Sequence, residues 1–232
     1  MSLDKQALFW LALTLGGYLF SRQLYKRVRW YGFAPIVFVP VLLFAVAIPL
    51  HARYADYARD TNWLVALLGP ATVAFAVPIW QQRALLARHW PALLVGMCAG
   101  SAVAIGSSWA LANALALDGQ VALSLVPRSI TTPLAMEMSH DLGGVPELTA
   151  AFVMITGVFG ALAGGLLMKL LPLRSTLARG ALLGVGAHGA GTSRAYEFGG
   201  EEGSTAGLLM VLTGLFNLLL APAVALVLQF NS

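Results

Sequence analysis

The chain has 232 residues, of which 59% are hydrophobic and only 10% are charged. A soluble domain carries about 25% charged residues, so this composition excludes an ordinary water-soluble fold. The net charge of +4 would suggest nucleic acid in a soluble protein. Beside long apolar runs it indicates basic loops next to anionic lipid instead. We therefore predict an integral membrane protein.

Charged residues lie in short clusters that separate long uncharged runs. Gln6–Phe20 is predicted as a first helix rather than a cleaved signal peptide, because it lacks a basic start and a cleavage site. Each later run is long enough, at about 20 residues per crossing, to span a bilayer. These runs are Trp30–Leu50, Thr61–Gln82, Trp90–Leu117, Leu148–Met168 and Gly203–Ser232. The pattern predicts an all-α, polytopic helical bundle.

Two segments are polar and interrupted. Val121–His140 contains Pro127–Arg128–Ser129 and a second proline, Pro133, which predicts two short half-helices joined near Pro127. Thr176–Phe198 repeats this form, with its break at His188–Gly191. Non-helical backbone at bilayer depth survives only where protein or a watery cavity covers it. The segments are predicted to be re-entrant hairpins or, alternatively, broken crossings.

The two segments and their flanks can be aligned. Thr132–Glu137 (TPLAME) parallels Thr192–Glu197 (TSRAYE), and Thr156–Gly157 parallels Thr213–Gly214. Gly143–Gly144 likewise parallels Gly199–Gly200. The repeat period is roughly 57–60 residues, which indicates duplicated structural units within the membrane.

Basic residues indicate how the repeats are oriented, because they mark cytoplasmic loops. The clusters at Arg22–Arg29 and Arg83–His89 are consistent with alternating crossings. Lys169, Arg174 and Arg179 also fall inside only if Val121–His140 enters and leaves on one side. The first hairpin then enters from outside and the second from inside. This predicts inverted repeats with tips that converge near the midplane, as at a transporter binding site.

Ionisable and hydroxyl side chains at membrane depth are functional candidates. Arginine can bind a carboxylate with two parallel hydrogen bonds, and half-helix N-termini add unpaired N–H donors. The predicted substrate-binding residues are Arg128, Ser129, Thr131, Thr132, His188, Thr192, Ser193 and Arg194. Glu137 and Glu197 are the predicted proton-coupling residues. The alternatives are structural ion pairs, Arg194 with Glu197 and Arg128 with Glu137.

The same segments carry a family resemblance. Ser124–Glu137 reads SLVPRSITTPLAME and Ala187–Glu197 reads AHGAGTSRAYE, followed by Gly143–Gly144 and Gly203 respectively. With Gly69–Thr72 and Pro78 included, the region from about Leu64 to Leu228 resembles the CidB/LrgB family.

The resemblance implies either of two functions. Bacterial members are named as holin-like or antiholin-like modulators of murein hydrolase activity, and commonly pair with a small LrgA/CidA-type membrane protein. Plant relatives export glycolate and glycerate from plastids, and some bacterial pairs are linked to pyruvate uptake.

We predict a secondary transporter of small monocarboxylates such as pyruvate, glycolate or glycerate, coupled to protons. The alternatives are an antiholin-like regulator acting with an LrgA/CidA-type partner, and a passive channel. Residues 1–62 should form scaffold helices and residues 63–232 the transport core, in a homodimer of the bacterial cytoplasmic (inner) membrane. No enzymatic activity, cofactor, metal ion or nucleic acid is expected, because no nucleotide-binding loop, Cys/His cluster or Ser-His-Asp pattern occurs.

Overall fold

The computed structural model describes residues 5–28, 30–74 and 76–229. Within these ranges the chain is α-helical, with turns between helices and no β-strand. Arg29 of the first basic cluster and residues 230–232 of the last predicted span lie outside the described residues. The chain divides into two compact units, Met1–Ala71 and Thr72–Ser232.

The first unit is built from α1 (Lys5–Val28), a short 3-10 turn (Tyr31–Phe33), α2 (Pro35–Ala47) and α3 (Tyr54–Ala66). Proline is favoured in the first turn of a helix, and α2 starts at Pro35 for this reason. The predicted span Trp30–Leu50 is therefore shorter in the structure.

Packing in the first unit depends on aromatic and small side chains. Trp10 is buried in α1 and stacks edge-to-face on Tyr57 of α3, with ring centroids 5.7 Å apart. Gly17 lets α2 approach α1 closely, because a Cβ there would lie 2.7 Å from Leu42 Cδ2. The Ser21 hydroxyl donates a hydrogen bond of 2.6 Å to the Phe33 carbonyl.

The remaining helices follow in chain order. Two short helices, α4 (Leu68–Ala74) and α5 (Ala76–Gln81), occupy most of the predicted span Thr61–Gln82, which also takes in the end of α3. The second unit continues with α6 (Arg83–Ala114), α7 (Gly119–Leu125), α8 (Thr132–Leu142), α9 (Pro146–Leu170), α10 (Thr176–Tyr196) and α11 (Gly200–Gln229).

Local chemistry explains where these helices begin and end. Thr131 is the extended N-cap residue of α8 and Pro133 stands in its first turn, while Gly143 ends α8 with φ +85°. The Ser175 hydroxyl caps α10 by accepting from the Ala178 N–H at 3.1 Å. These signals fix the ends of both interrupted segments.

Among the described residues, four stretches are long and apolar enough to cross a bilayer: Trp63–Gln81, Arg83–Ala114, Pro146–Leu170 and Gly200–Leu226. Large apolar side chains such as Phe159 and Leu219 point outward, 73% and 81% exposed. Outward apolar surface on long helices is suited to lipid rather than to water. The fold is an all-α, polytopic membrane protein, as the composition predicted.

Candidate functional site

The first interrupted segment folds back on itself beside α9. Both of its arms, α7 and α8, meet at Thr149, whose Oγ1 lies 2.9 Å from the Ser124 carbonyl oxygen and 2.7 Å from Ser139 Oγ. The tip between the arms reaches further along α9, where Arg128 contacts Thr156 at 3.4 Å. We refer to residues 119–142 as the first hairpin.

The second interrupted segment, α10, also folds back. Its helix breaks at Ala187 (φ −141°, ψ 15°) and His188 (φ 39°, ψ −124°). A Cβ at Gly191 would overlap the carbonyl oxygen of Leu183, whereas residues eight apart in a straight helix lie about 12 Å apart. The two arms therefore run side by side, and residues 176–196 form the second hairpin.

The tips of both hairpins contact neighbouring residues near the middle of α9. Arg128 of the first hairpin contacts Thr156, and the His188 ring of the second lies against Gly157, where an added Cβ would be 2.6 Å from His188 Cε1. The arms diverge toward opposite ends of α9, the first at Thr149 and the second at Gly164–Gly165.

A matching contact lies on α11. Gly214, the counterpart of Gly157 in the sequence repeat, faces the first hairpin: a Cβ there would lie 2.6 Å from Leu134 Cδ1 and 3.6 Å from Thr131 Cγ2. Thus α9 receives the tip of the second hairpin at a glycine, and α11 receives the first hairpin at the aligned glycine. The inverted symmetry of the repeats stays a prediction.

Arg128 is held at the first tip by hydroxyl groups alone. Its Nε donates to Ser108 Oγ at 2.8 Å, Nη2 to Ser107 Oγ at 3.2 Å and Nη1 to Thr156 Oγ1 at 3.4 Å. Among the described residues no carboxylate forms an ion pair with this guanidinium. The alternative pairing of Arg128 with Glu137 is therefore not formed.

His188 is buried at the second tip, 4% exposed, and its Nε2 has no hydrogen-bond partner within the described part of the chain. A positive φ at a non-glycine residue costs of the order of 1–3 kcal/mol. The break thus holds an imidazole where glycine would be the unstrained choice.

The other predicted substrate-binding residues divide between the tips and the arms. Thr131 is buried at the first tip, and Ser129 and Thr132 beside it are half-buried. Thr192 is half-buried in the second arm of α10, where its hydroxyl donates to Met210 Sδ at 3.8 Å, and Ser193 is exposed.

Arg194 lies away from the tips. It forms an ion pair with Glu197, stacks at 5.5 Å over the Phe198 ring and approaches Gly165. Gly165 is about 12 Å along α9 from Gly157, so Arg194 is not brought next to Arg128. The structural pairing of Arg194 with Glu197 is formed, and Glu137 is exposed on α8.

Ser107 and Ser108 were not among the predicted site residues. Their signal was adjacent hydroxyl groups within the apolar span Trp90–Leu117, although nothing local indicated which arginine they would bind. No three His, Cys, Asp or Glu side chains lie together as a metal site requires, in the part of the chain that the structure describes.

These features define a class: a polytopic α-helical membrane protein with polar residues at the tips of two hairpins. The model of the LrgB-like family matches residues 14–227, and the chain belongs to this family.

Relatives match over nearly the whole chain. The Bacillus subtilis proteins YxaC and YwbG, both described as uncharacterized, are each 35% identical, covering 94% and 91% of this chain and 95% and 94% of their own. "Antiholin-like protein LrgB" of Bacillus subtilis is 27% identical over 92% of this chain and 93% of its own. No solved structure matches the chain.

Proposed function

We propose that the protein is a secondary transporter of small monocarboxylates, located in the bacterial cytoplasmic (inner) membrane, with its binding site between the two hairpin tips. The observation that carries the proposal is Arg128. Its contacts lie near the middle of a membrane-spanning helix, and its partners are neutral hydroxyl groups. A cation at that depth is costly unless it is neutralised, and a substrate carboxylate would neutralise it.

The charge at the tips favours a monoanion. Arg128 contacts the middle of α9, whereas Arg194 lies toward the open end of the second hairpin and is paired with Glu197. One unmatched guanidinium can bind one carboxylate with two parallel hydrogen bonds. A dicarboxylate would bring a second negative charge that the tips do not neutralise. The hydroxyl of Thr131 is available for a small substrate's hydroxyl or carbonyl.

The hairpins also suit alternating access. Their arms diverge toward opposite ends of α9, as inverted repeats around a midplane site would. Proton coupling completes the proposal, with Glu137, Glu197 and His188 as the candidate carriers. A homodimer and an association with an LrgA/CidA-type membrane protein remain part of the proposal.

A second candidate function is antiholin-like regulation of murein hydrolase export and autolysis. It is favoured by the name of the Bacillus subtilis relative, "Antiholin-like protein LrgB". A regulatory scaffold has no need of an unneutralised arginine at membrane depth, so Arg128 distinguishes the two functions. They are compatible if altered metabolite flux changes autolysis.

Uptake of labelled pyruvate and glycolate into proteoliposomes tests the transporter. Wild type should show saturable uptake that Arg128→Ala abolishes and Arg128→Lys weakens, since lysine cannot form the two-bond contact. Arg83→Ala is the matched control, because Arg83 is exposed and bonds the Trp80 carbonyl. Absence of saturable uptake for either acid, alone or with an LrgA-type partner, contradicts the transporter and favours the regulator.

A further inference from the structure

Of the three candidate carriers, His188 alone is buried at a hairpin tip. It is 4% exposed, whereas Glu137 and Glu197 are exposed on helix surfaces. A coupling group must lie close to the substrate site, because proton and substrate are linked only if binding of one changes the affinity for the other. Its position at a tip therefore favours the imidazole over the two carboxylates.

The burial of His188 indicates which nitrogen can accept a proton. Its Nε2 is buried and has no hydrogen-bond partner among the described residues. In the neutral ring with its proton on Nδ1, the Nε2 lone pair is therefore without a donor and can accept a proton.

The charged groups around His188 determine how strongly a bound substrate anion affects the proton on the imidazole. The charged or titratable groups on the elements packed around the break are Arg83, Arg88, His89, Cys98, Arg128, Glu137, His140, Asp141, Glu147, Lys169, Arg179, Arg194, Tyr196, Glu197, Glu201 and Glu202. Arg128 contacts Thr156, the neighbour of Gly157, which packs on the ring. Arg179 pairs with Glu202 at 3.5 Å, and Arg194 pairs with Glu197.

The backbone gives a further reason to regard the imidazole as functional. His188 has φ 39°, a conformation that glycine adopts without strain, and Gly189 follows it directly. A purely structural break would be more stable with glycine at this position. The ring packs into space that Gly157 leaves open.

We propose, resting on the transporter function above, that His188 Nε2 is the atom that takes up the coupling proton, and that Glu137 and Glu197 are not carriers. A proton from the aqueous side bonds to the Nε2 lone pair and gives an imidazolium with an N–H on each ring nitrogen. The added positive charge strengthens binding of the carboxylate beside Arg128. On the other side the anion leaves and the proton returns to water. One proton accompanies one monocarboxylate, so the cycle is electroneutral.

The test measures pH-driven accumulation and exchange separately, in proteoliposomes reconstituted with the purified full chain. With labelled pyruvate or glycolate and an outside-acid gradient of one pH unit, wild type should accumulate substrate about tenfold for one proton per anion. His188→Gln, which cannot be protonated, should keep exchange at equal pH while its accumulation ratio falls to about one. His188→Gly relieves the backbone strain and should give the same exchange and accumulation as His188→Gln. It keeps the test decisive if the glutamine variant folds poorly.

Glu137→Gln and Glu197→Gln are the matched controls and should accumulate substrate as wild type does. The proposal is overturned if either histidine variant still accumulates substrate, or if either glutamate variant stops doing so. It is also overturned if both histidine variants lose exchange, because His188 then acts in substrate binding. Failure of wild type to take up any monocarboxylate contradicts the proposed function itself, which is a separate result.

Discussion

Arg128 and His188 belong to different hairpins, yet they contact consecutive residues of α9, Thr156 and Gly157. This relationship gathers the polar groups of two distant segments at one level of a membrane-spanning helix. It also makes α9 the common support of the candidate site. The first tip contacts the Thr156 side chain, and the second packs against Gly157, which has no side chain.

The first prediction concerns the Thr156 hydroxyl. Thr156→Val keeps the shape of the side chain but removes a hydrogen bond to Arg128, and a bond to a charged group is worth about 1.5–3 kcal/mol. We expect KM for uptake to rise about tenfold or more with the protein still folded. Transport kinetics in proteoliposomes measure this.

The repeat supplies the control for that variant. Thr213, the aligned residue on α11, is buried and its hydroxyl has no partner among the residues that the structure describes. Thr213→Val removes an unsatisfied polar group and should leave uptake unchanged while unfolding temperature stays level or rises. Equal kinetic effects of the two valine variants would contradict the assigned role of Thr156.

The second prediction concerns the fit of the second tip against α9. Gly157→Ala places a Cβ 2.6 Å from His188 Cε1 and 3.3 Å from Ala190 Cβ. The ring must move, which should cost about 1–3 kcal/mol of folding free energy and strongly reduce uptake. Thermal unfolding in detergent and transport assays measure the two effects. Gly186→Ala, with open space around it, should be neutral or stabilising.

The third prediction concerns the junction of the first hairpin. Thr149 is buried, and its hydroxyl links the Ser124 carbonyl to the Ser139 hydroxyl. Thr149→Val leaves these buried groups without that partner, so we expect a loss of about 1–3 kcal/mol of stability. The exposed Thr176 gives the control, Thr176→Val, for which unfolding temperature should be unchanged.

The fourth prediction concerns the ion pair on the second hairpin. Arg194 and Glu197 are partly exposed, so their coupling in a double-mutant cycle of Arg194→Ala and Glu197→Gln should be about 1 kcal/mol or less. Uptake by Arg194→Ala should stay close to wild type, in contrast to Arg128→Ala. Comparable loss of uptake in both arginine variants would show that Arg194 binds substrate.

The fifth prediction concerns topology. Cys98 is the chain's single cysteine and is exposed, so Cys98→Ser gives a background free of reactive thiols. Cysteine introduced at Asp141 or Gly200, both exposed positions, should react with an impermeant reagent from opposite faces of the membrane. Labelling of both positions from one face contradicts inverted hairpins.

The breaks in the two hairpins were predictable from the sequence because their causes are local. Pro127 and Pro133 interrupt the helical pattern of the first, and His188–Gly191 that of the second. The membrane class was predictable as well, because the spacing of charged residues can be read directly along the sequence. The turn at Leu67, which separates α3 from α4 inside the predicted span Thr61–Gln82, was not predicted.

The partners of the site residues were less predictable, because they depend on packing between distant helices. Ser107 and Ser108 bind Arg128 only because α6 passes the first tip. Arg194 lies toward Gly165 because the second hairpin carries it back along α9. Aligning the two repeats in sequence predicts that Arg194 lies near the site. In the structure the second arm folds back and places Arg194 away from the site.

The adjacency of Thr156 and Gly157 also fixes the directions from which the two hairpins approach α9. Consecutive residues of an α-helix point about 100° apart around its axis. The guanidinium and the imidazole therefore lie at one level of α9 but on different sides of its circumference. Substitutions at Thr156 and at Gly157 should therefore disturb the two tips separately.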